Sequence, residues 1–451
     1  MIKSRIIVTI LLLCFSMTLI ADRKQVMSTF EKNNAINQNN LYFGNDFRHS
    51  IDTQLEERFY PSASASIAWP NASWSGAYGE ESDTLKVYRF GLCSNIITAI
   101  AILQLQETGY LNISEDASLY LPFNLKNPYF VNDTITIDHL LKSISSLSNA
   151  PDEYYTIITN DTLDVFEWMT NHFLNFNTSW VNSAPGETLQ PTFLGYTLLH
   201  MIINNVTEKT VEEYSRTNIF QPLKMNNTSF NLSYYDQDQF IARYIQNISG
   251  QFDIGMYHVS GSGALLTNAE DLKNLLIMYI NEGTFEGTEI ITEASYNYIF
   301  TKIDDFSFGI GFYKNQKYIG GVENGTLVTH WSFSSGIDSF SSAISIYVFP
   351  NGQKFAISLM LNNAYYNSYL CGGSPCWQNI FDSFQTEAYY YYIDPNAKFG
   401  QDYNSTTSIS TRTPRSEYRT YHSEVNSFSI LTVLIALSIY VHRIYERKKI
   451  I

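Results

Sequence analysis

The chain has 451 residues, a hydrophobic content of 45% and a formal net charge of −15 at pH 7. This hydrophobic content suffices for a substantial core, which excludes a globally disordered chain. The negative charge argues against a nucleic-acid partner, since a phosphate backbone is bound by a basic surface. The sequence has no zinc-type Cys/His spacing, no P-loop and no dinucleotide fingerprint, so we expect no metal and no cofactor.

The first 21 residues have the pattern of a secretory signal peptide. Lys3 and Arg5 form a basic start, residues 6–20 are apolar, and Ala21 fits a cleavage position. An uncleaved anchor is the alternative, which the charged and polar residues that follow disfavour. Residues 22–50 are polar and Asn-rich, and we expect them to form a loose lead-in to the first domain.

Residues 62–80, SASASIAWPNASWSGAYGE, alternate small and apolar residues around a Pro-Asn turn, which predicts a β-hairpin. A helix is expected over 94–109, with Ser94 as its N-cap and Gly109 at its end. Three further segments carry helical periodicity. They are residues 135–144, 193–206 and 268–283.

Strand patterns dominate the later part of the chain, at residues 307–314, 341–350 and 354–363. Asn351-Gly352 separates the last two and is a strong hairpin-turn signal. Strands therefore open and close the region, and helices lie between them. This order predicts an α+β fold in which helices cover an antiparallel sheet, and we place this domain at residues 51–395.

The C-terminal residues have the composition of a stalk, a membrane span and a tail. Residues 396–424 are polar and Ser/Thr-rich, as in a flexible linker. The uncharged run 425–441 is at the short end of a membrane span, and the basic tail 442–451 places that end in the cytosol. These features predict a single-pass protein of the secretory pathway with its domain in the lumen or outside the cell.

The last four residues include Lys448 and Lys449, which resemble the di-lysine signal that returns membrane proteins to the endoplasmic reticulum. Basic residues after a span can also serve only to fix its orientation. A short span suits the thinner membranes of the early secretory pathway. We therefore predict residence in the endoplasmic reticulum and early Golgi in preference to the cell surface.

Asn-x-Ser/Thr sequons recur between the two apolar ends of the chain, as expected for a lumenal or extracellular body. The glycosylation candidates are Asn71, Asn112, Asn132, Asn160, Asn177, Asn205, Asn227, Asn231, Asn247 and Asn324. The same oxidising compartment permits a disulfide between Cys371 and Cys376, which CGGSPC brings close together. Cys93 is then left over, and we expect it to be a buried small apolar residue.

Seven segments between residues 59 and 363 follow one another in the order of a known family. They are YRFGLCSNIITAIAILQLQETGYLNISEDASLYLP, ITIDHLLKSISSL, SAPGETLQPTFLGYTLLHMII, IFQPLKMNNTSF, SGSGALLTNAEDLKNLL, FGIGF and HWSFSSGIDSF. In these segments the chain resembles the penicillin-recognising serine hydrolases, which include class C β-lactamases, D-alanyl-D-alanine carboxypeptidases and related esterases.

The resemblance implies a particular acyl-transfer site. A serine on the first turn of a helix is followed three residues later by a lysine, so that both side chains lie on one helix face. The desolvated lysine, with its lowered pKa, helps to remove the serine proton. A tyrosine from a Tyr-x-Asn motif is the partner base, and amides of the helix N-terminus and of a strand hold the oxyanion.

This sequence has lost most of those residues. Leu92 stands at the serine position and Asn95 at the lysine position, and Ser-x-x-Lys is absent from the whole chain. Where Tyr-x-Asn is expected the chain has Pro-Thr-Phe. In the third motif that the resemblance implies, His330 is kept but the glycine two places on is replaced by Ser332. The family-site positions are Leu92, Asn95, Pro191, Phe193, His330 and Ser332. The sequence therefore predicts a catalytically inactive member, a pseudoenzyme.

Three functions remain open. The first is a binding or scaffold domain whose residual cleft takes a peptide, acyl or lipid ligand. The second is a serine hydrolase that uses displaced residues, for which Cys93 and Ser94 are the neighbouring nucleophiles. The third is a glycosylated protein whose cleft is unused. His330 is either a ligand contact on the strand that lines the cleft or a histidine retained for packing.

Overall fold

The computed structural model describes residues 49, 51–55, 60–79, 83–148, 164–175, 179–241, 244–246, 252–254, 262–303, 306–319, 326–337, 340–362 and 377–393. The chain divides into two units, Met1–Gln401 and Asp402–Ile451, and all of these residues lie in the first. The predicted signal peptide, stalk, span and tail lie outside the described residues. Within those residues, no helix is long and apolar enough to cross a membrane.

Twelve strands and eight α-helices are present in the described part of the chain. The strands are β1 Ser62–Trp69, β2 Ala72–Gly79, β3 Tyr88–Arg89, β4 Tyr244–Gln246, β5 Phe252–Ile254, β6 Leu266–Thr267, β7 Thr284–Phe285, β8 Thr288–Glu289, β9 Tyr313–Ile319, β10 Thr326–Ile337, β11 Phe340–Val348 and β12 Lys354–Asn362. The helices are α1 Asn95–Glu107, α2 Ile137–Leu141, α3 Val165–Asn175, α4 Phe193–Thr207, α5 Val211–Ser215, α6 Ala269–Ile280, α7 Glu293–Ile299 and α8 Trp377–Ile393.

Six strands form one antiparallel sheet in the order β2-β1-β12-β11-β10-β9. The predicted hairpin at 62–80 is confirmed, because β1 and β2 pair around Pro70-Asn71. The predicted Asn-Gly hairpin joins β11 to β12, and Gly352 adopts a φ of +82°, which a residue with a Cβ rarely reaches. The first and last long strands, β1 and β12, therefore lie side by side within the sheet, between β2 and β11.

The two faces of the sheet carry separate apolar cores, because side chains alternate along each strand. One face, with Trp331, Phe333 and Met360, packs against α6 and the turn Gly91–Ser94, and it shares one apolar core with α1 and α4. The other face packs against the terminal segments, residues 51–55 and α8. The indole Nε1 of Trp69 donates to the carbonyl of Ala388 in α8 at 3.0 Å, which ties β1 to that helix. The observed architecture is the predicted α+β fold.

Small side chains explain how α6 lies close to the sheet. The face of β1 toward α6 carries Ser62, Ser64, Ser66 and Ala68, whereas the opposite face carries only apolar residues. Ser66 donates its Oγ hydrogen to the carbonyl of Ala269, the first residue of α6, at 2.6 Å. The alternation of small and apolar residues in the sequence therefore marks a helix-packing face and not only a hairpin.

The structure corrects two local predictions. Ser94 occupies the predicted N-cap position of α1, but a 3₁₀ turn at Gly91–Ser94 precedes the helix, and Ser94 has helical dihedral angles and makes no side-chain capping bond. The strand expected at 307–314 lies later, at Tyr313–Ile319. Gly311, with a φ of +72°, bends the chain before that strand, and Phe308 and Phe312 are buried in the core instead of pairing in the sheet.

Candidate functional site

The helix that should carry the nucleophile begins against strand β10. The turn Gly91–Ser94 leads into α1, and Gly91 has a φ of +54°, in the left-handed region that glycine tolerates. Leu92 lies on this turn and packs, partly buried, against the core on the helical face of the sheet. An apolar side chain without a nucleophilic atom therefore occupies the serine position.

The backbone amide of Leu92 already has a partner. Its N–H donates to Oγ of Ser335, a buried residue of β10, at 3.0 Å. In the chemistry implied by the resemblance, amides at this helix end and on the strand would hold an oxyanion. Here a hydroxyl of the same chain satisfies that amide. Nothing in the sequence pattern identified Ser335, because its role depends on how β10 meets the helix.

Asn95 belongs to a neutral hydrogen-bond network. Its side chain is only 7% exposed, and its Oδ1 accepts from Oγ of Ser262 at 2.8 Å. The amide of Ser262 donates to Oγ1 of Thr197 at 3.0 Å, and that hydroxyl donates to the carbonyl of Phe193 at 2.9 Å. The position that would carry the lysine charge is thus enclosed by uncharged groups from α4 and from the segment before β6.

The Pro-Thr-Phe segment begins helix α4. Thr192 is its N-cap, and its Oγ1 accepts the amide of Leu194 at 2.9 Å. The ring of Phe193 lies beside Gly263, where a Cβ would come within 3.0 Å of Cε1 of that ring. Pro191, just before the cap, is partly buried. The segment therefore places the ring of Phe193 next to the turn that precedes α1. Pro191, at the position of the expected tyrosine, has no hydroxyl.

His330 and Ser332 lie on the opposite face of the sheet from Leu92 and Asn95. The ring of His330 stacks on Tyr347 with centroids 4.6 Å apart, and its Nε2 lies 3.0 Å from Oγ of Ser345. Burial, with a smaller effect of the Lys317 charge, lowers the pKa of His330 to about 3. The histidine is therefore neutral at physiological pH and contacts the core beneath α8, and not the neighbourhood of α1.

The two neighbouring nucleophiles are both engaged. Cys93 is fully buried, and Ser342 donates its Oγ hydrogen to Sγ at 3.3 Å. Burial raises the pKa of the Cys93 thiol to about 12, against the weaker effect of that hydrogen bond. Oγ of Ser94 accepts the amide of Gly263 at 3.2 Å. A thiol so buried is almost entirely protonated at neutral pH and is a poor nucleophile.

Two imidazole–hydroxyl pairs that the sequence did not predict lie inside the helical layer. His200 Nε2 is 2.8 Å from Oγ1 of Thr98, and His172 Nε2 is 2.6 Å from Oγ of Ser179. All four residues are buried. Burial lowers the pKa of His200 to about 3. These pairs satisfy polar groups within the core, and a substrate would have no access to them.

Several predicted positions lie outside the described residues, namely Cys371, Cys376, Asn160, Asn177, Asn247, Asn324, Lys448 and Lys449. The other sequon asparagines are described. Asn71, Asn112, Asn132, Asn205 and Asn231 are exposed, and Asn227 is partly buried.

Comparison with known proteins agrees with this architecture. Protein flp of Staphylococcus aureus is 26% identical over 255 residues, which is 52% of this chain and 50% of that protein. The putative penicillin-binding protein PbpX of Bacillus subtilis is 24% identical over 292 residues, 63% of this chain and 67% of that one. The chain spans about half the length of the staphylococcal relatives that it matches.

Solved structures give the same fold. The octameric penicillin-binding protein homologue of Pyrococcus abyssi superposes with a TM-score of 0.60 and 20% identity, covering 77% of this chain and 76% of that one. The β-lactamase/D-alanine carboxypeptidase of Yersinia pestis gives a TM-score of 0.54 and 13% identity, covering 76% and 98%.

The fold is thus that of penicillin-binding proteins and class C β-lactamases. A family model described as Beta-lactamase matches residues 47–373, well over half of the chain. The protein belongs to the β-lactamase family.

Proposed function

We propose that this protein is a β-lactamase-related domain without acyl-transfer activity, which acts as a binding or scaffold domain. The observation that carries the proposal is the neutral network around Asn95. Asparagine cannot act as a base or carry a positive charge near neutral pH. Its Oδ1 atom already accepts a hydrogen bond from Ser262. Leu92 supplies no nucleophile, and its amide is bonded to Ser335.

The magnitude of the loss supports an inactive domain. Removing the nucleophile alone lowers the rate of a serine hydrolase by about 10⁶-fold where it has been measured. In this chain the positions of the nucleophile, the lysine and the partner base hold Leu92, Asn95 and Pro191. Displaced catalysis would need an accessible activated group, whereas Cys93 is buried with a raised pKa and Ser94 accepts a backbone hydrogen bond.

A covalent labelling experiment tests the absence of acyl transfer. The purified full chain is incubated with a fluorescent penicillin and, separately, with a fluorophosphonate, and its intact mass is measured. We expect no adduct, while a family member with complete motifs is labelled under the same conditions. A stoichiometric adduct at Ser94 or Cys93 would establish the hydrolase alternative and refute the proposal.

The double variant Leu92→Ser and Asn95→Lys is the matched control for this experiment. It restores both residues of the first motif but leaves Pro191 where a hydroxyl is needed, and the proline ring fixes the φ of that loop. We expect this variant to remain unlabelled. Labelling of the variant would mean that only the first motif had been lost.

The residual cleft is expected to favour peptides, acyl compounds or lipids, because Leu92 and Phe193 make its surroundings apolar. A thermal-shift screen of the full chain against these three classes tests binding. Saturable stabilisation that disappears in Phe193→Ala would support a ligand-binding domain. If none of the three ligand classes changes the unfolding temperature, the result favours the alternative in which the cleft is unused.

The proposal places the domain in the lumen of the early secretory pathway, with residues 425–441 as a single membrane span. It rests on the apolar ends, the basic tail and the spread of sequons. Changing Lys448 and Lys449 to serine should move the protein outward, with maturation of its glycans. A wild-type protein already at the plasma membrane, or a variant that does not move, would refute retrieval.

The same compartment implies the Cys371–Cys376 disulfide. A ring this small removes little chain entropy, so its contribution should be below the about 3 kcal/mol expected for a 15-residue loop. Peptide mapping without reductant should find the two residues linked. Two free thiols, or a bridge from Cys93 to either, would contradict this pairing.

A further inference from the structure

Two exposed tyrosines precede two exposed sequons. Tyr110 and Tyr129 are each 59% exposed, although most of a phenol ring is apolar surface. Tyr110 stands two residues before Asn112, and Tyr129 stands three residues before Asn132. Each sequon therefore has an exposed aromatic residue two or three positions before the asparagine that would carry a glycan.

The local backbone places Tyr110 and Asn112 on one side of the chain. Leu111 between them is 5% exposed, so the two neighbours share the solvent side. The Cα atoms of residues two apart are separated by at most about 7 Å, so a sugar on Asn112 is within reach of the Tyr110 ring. Asn112 Oδ1 accepts the amide of Ser114 at 3.0 Å, so the oxygen faces this turn and Nδ2 points away from it.

A pair of turns brings Tyr129 near Asn132. The amide of Phe130 donates to the carbonyl of Asn127 at 3.0 Å, and the amide of Asp133 donates to the carbonyl of Phe130 at 3.0 Å. The amide of Tyr129 donates to Oδ1 of Asn127 at 3.0 Å, which fixes the first turn. Two consecutive turns make this segment compact, so the backbone separation of Tyr129 and Asn132 is shorter than in an extended chain.

We propose that N-linked glycans at Asn112 and Asn132 lie with their first N-acetylglucosamine on the rings of Tyr110 and Tyr129. The C–H bonds of a sugar carry partial positive charge, and the face of an aromatic ring is negative, so the two surfaces attract each other. The sugar also covers apolar area that the fold leaves in water. The proposal rests on the lumenal placement of the domain proposed above.

Asn231 provides a matched control sequon. It is exposed and makes the same turn, with its Oδ1 accepting the amide of Ser233 at 3.0 Å. The residues two and three places before it are Ser229 and Thr228, which have no ring. Tyr234 follows it, but the guanidinium of Arg216 lies over that ring, 4.1 Å from its centroid. A glycan at Asn231 would therefore have no aromatic ring two or three residues before its asparagine, and Arg216 covers one face of the ring that follows it.

The test is the rate at which each glycan is released from the folded protein. The full chain is produced in eukaryotic cells, solubilised and digested natively with peptide N-glycosidase, and each site is followed by glycopeptide mass spectrometry. We expect release from Asn112 and Asn132 to be slower than from Asn231 by about threefold or more. After denaturation the three rates should converge.

Variants assign the effect to the rings. Tyr110→Ala should accelerate release at Asn112 and leave Asn132 unchanged, and Tyr129→Ala should do the reverse. Tyr110→Phe and Tyr129→Phe keep the ring and should keep the slow release. Because both side chains are exposed, these variants should fold, and the unchanged second site verifies this within each sample.

The failures are distinguishable. If no sequon carries a glycan, the lumenal placement is wrong, and this inference with it. If Asn231 is occupied but Asn112 and Asn132 are not, the placement stands and the inference is overturned. If all three are occupied but the alanine variants release their glycans at the wild-type rates, the tyrosines do not contact the sugar.

Discussion

The beginning of α1 and the turn before Thr228 have both departed from the sequence that the family resemblance implies, with different consequences. At Leu92 and Asn95 the departure removes the atoms that acyl transfer needs. The segment IFQPLKMNNTSF resembles the family's Phe-x-Pro-Leu-Gly-Met-x-x-Thr, with Lys224 at the glycine position, and the backbone there has a φ of +54°, which glycine favours. The comparison teaches that a local backbone shape survives substitution when its surroundings fix it, whereas chemistry depends on particular atoms.

Contacts around the turn explain its persistence. Thr228 donates its Oγ1 hydrogen to Oδ2 of Asp271 at 2.7 Å, and the amide of Asn227 donates to the same oxygen at 2.7 Å. Asp271 lies in the first turn of α6, next to the N-cap Asn268. The turn is therefore anchored to a helix that packs on the sheet, and one unfavourable residue does not change its path.

The largest effect should come from restoring a charge at the site. Asn95→Lys would bury an ammonium group where Ser262 and Thr197 offer only neutral partners, and should destabilise the domain by about 3 kcal/mol. Asn95→Met, of similar length and without charge, should cost less. Because burial depresses the lysine pKa in the folded state, the penalty should shrink as pH rises towards about 10.4. Denaturant unfolding at several pH values measures this, and equal losses in both variants would contradict it.

A second variant concerns the anchor of the turn. Asp271→Ala removes the acceptor of the Asn227 amide and one acceptor of the Thr228 hydroxyl. We expect it to lower the free energy of unfolding by about 2 kcal/mol. Asp271→Asn keeps an oxygen acceptor and should be less destabilising. A loss of the same size in both variants would mean that the charge, and not the hydrogen bonds, holds the turn.

The pH dependence of stability tests the same carboxyl. Burial raises the pKa of Asp271 to about 6, although hydrogen bonds from Thr228 and Asn227 oppose the shift. The folded state then holds a proton that the unfolded state loses near pH 4, so the carboxyl weakens stability as pH rises from about 4 to 6. The stability of wild type relative to Asp271→Asn should fall across this window. A difference independent of pH would contradict the raised pKa.

A smaller change in stability, in the favourable direction, is expected when Ser146 is replaced by glycine. The segment ITIDHLLKSISSL resembles one that in the family ends in His-Thr-Ser-Gly-Leu, so Ser146 stands at the glycine position, and it has a φ of +64°. Its buried Oγ has no hydrogen-bond partner among the described residues. Ser146→Gly should therefore stabilise the domain by about 0.5–1 kcal/mol. Ser146→Ala removes the hydroxyl but keeps the strained Cβ and should gain less, and a larger gain for alanine would disprove the backbone argument.

The smallest effect is expected at Lys224 itself. Its ion pair with Glu286 is exposed on both sides, and such pairs contribute little. Lys224→Gly relieves the left-handed strain but makes the unfolded chain more flexible, so the net change should lie within about 0.5 kcal/mol. Lys224→Ala, which loses the pair and keeps the strain, should not be more stable than wild type. Thermal unfolding of the three proteins makes this comparison.

The sequence alone determined the architecture and the loss of the motifs. Period-two and period-3.6 patterns predicted the hairpin at β1 and β2, helix α4 and the Asn-Gly hairpin, because these signals are local. The order of the family segments, with Leu92 and Asn95 in the first, could likewise be read without coordinates. Only the tertiary structure decided which groups meet.

Tertiary contacts placed His330 on the face beneath α8, brought Ser335 to the amide of Leu92, and enclosed Asn95 with Ser262. A change of one residue in strand position turns a side chain to the other face, and partners more than 150 residues apart leave no periodic signal in the sequence. For the same reason the side chain of Ser94, at the predicted N-cap position, accepts the amide of Gly263 and does not cap α1.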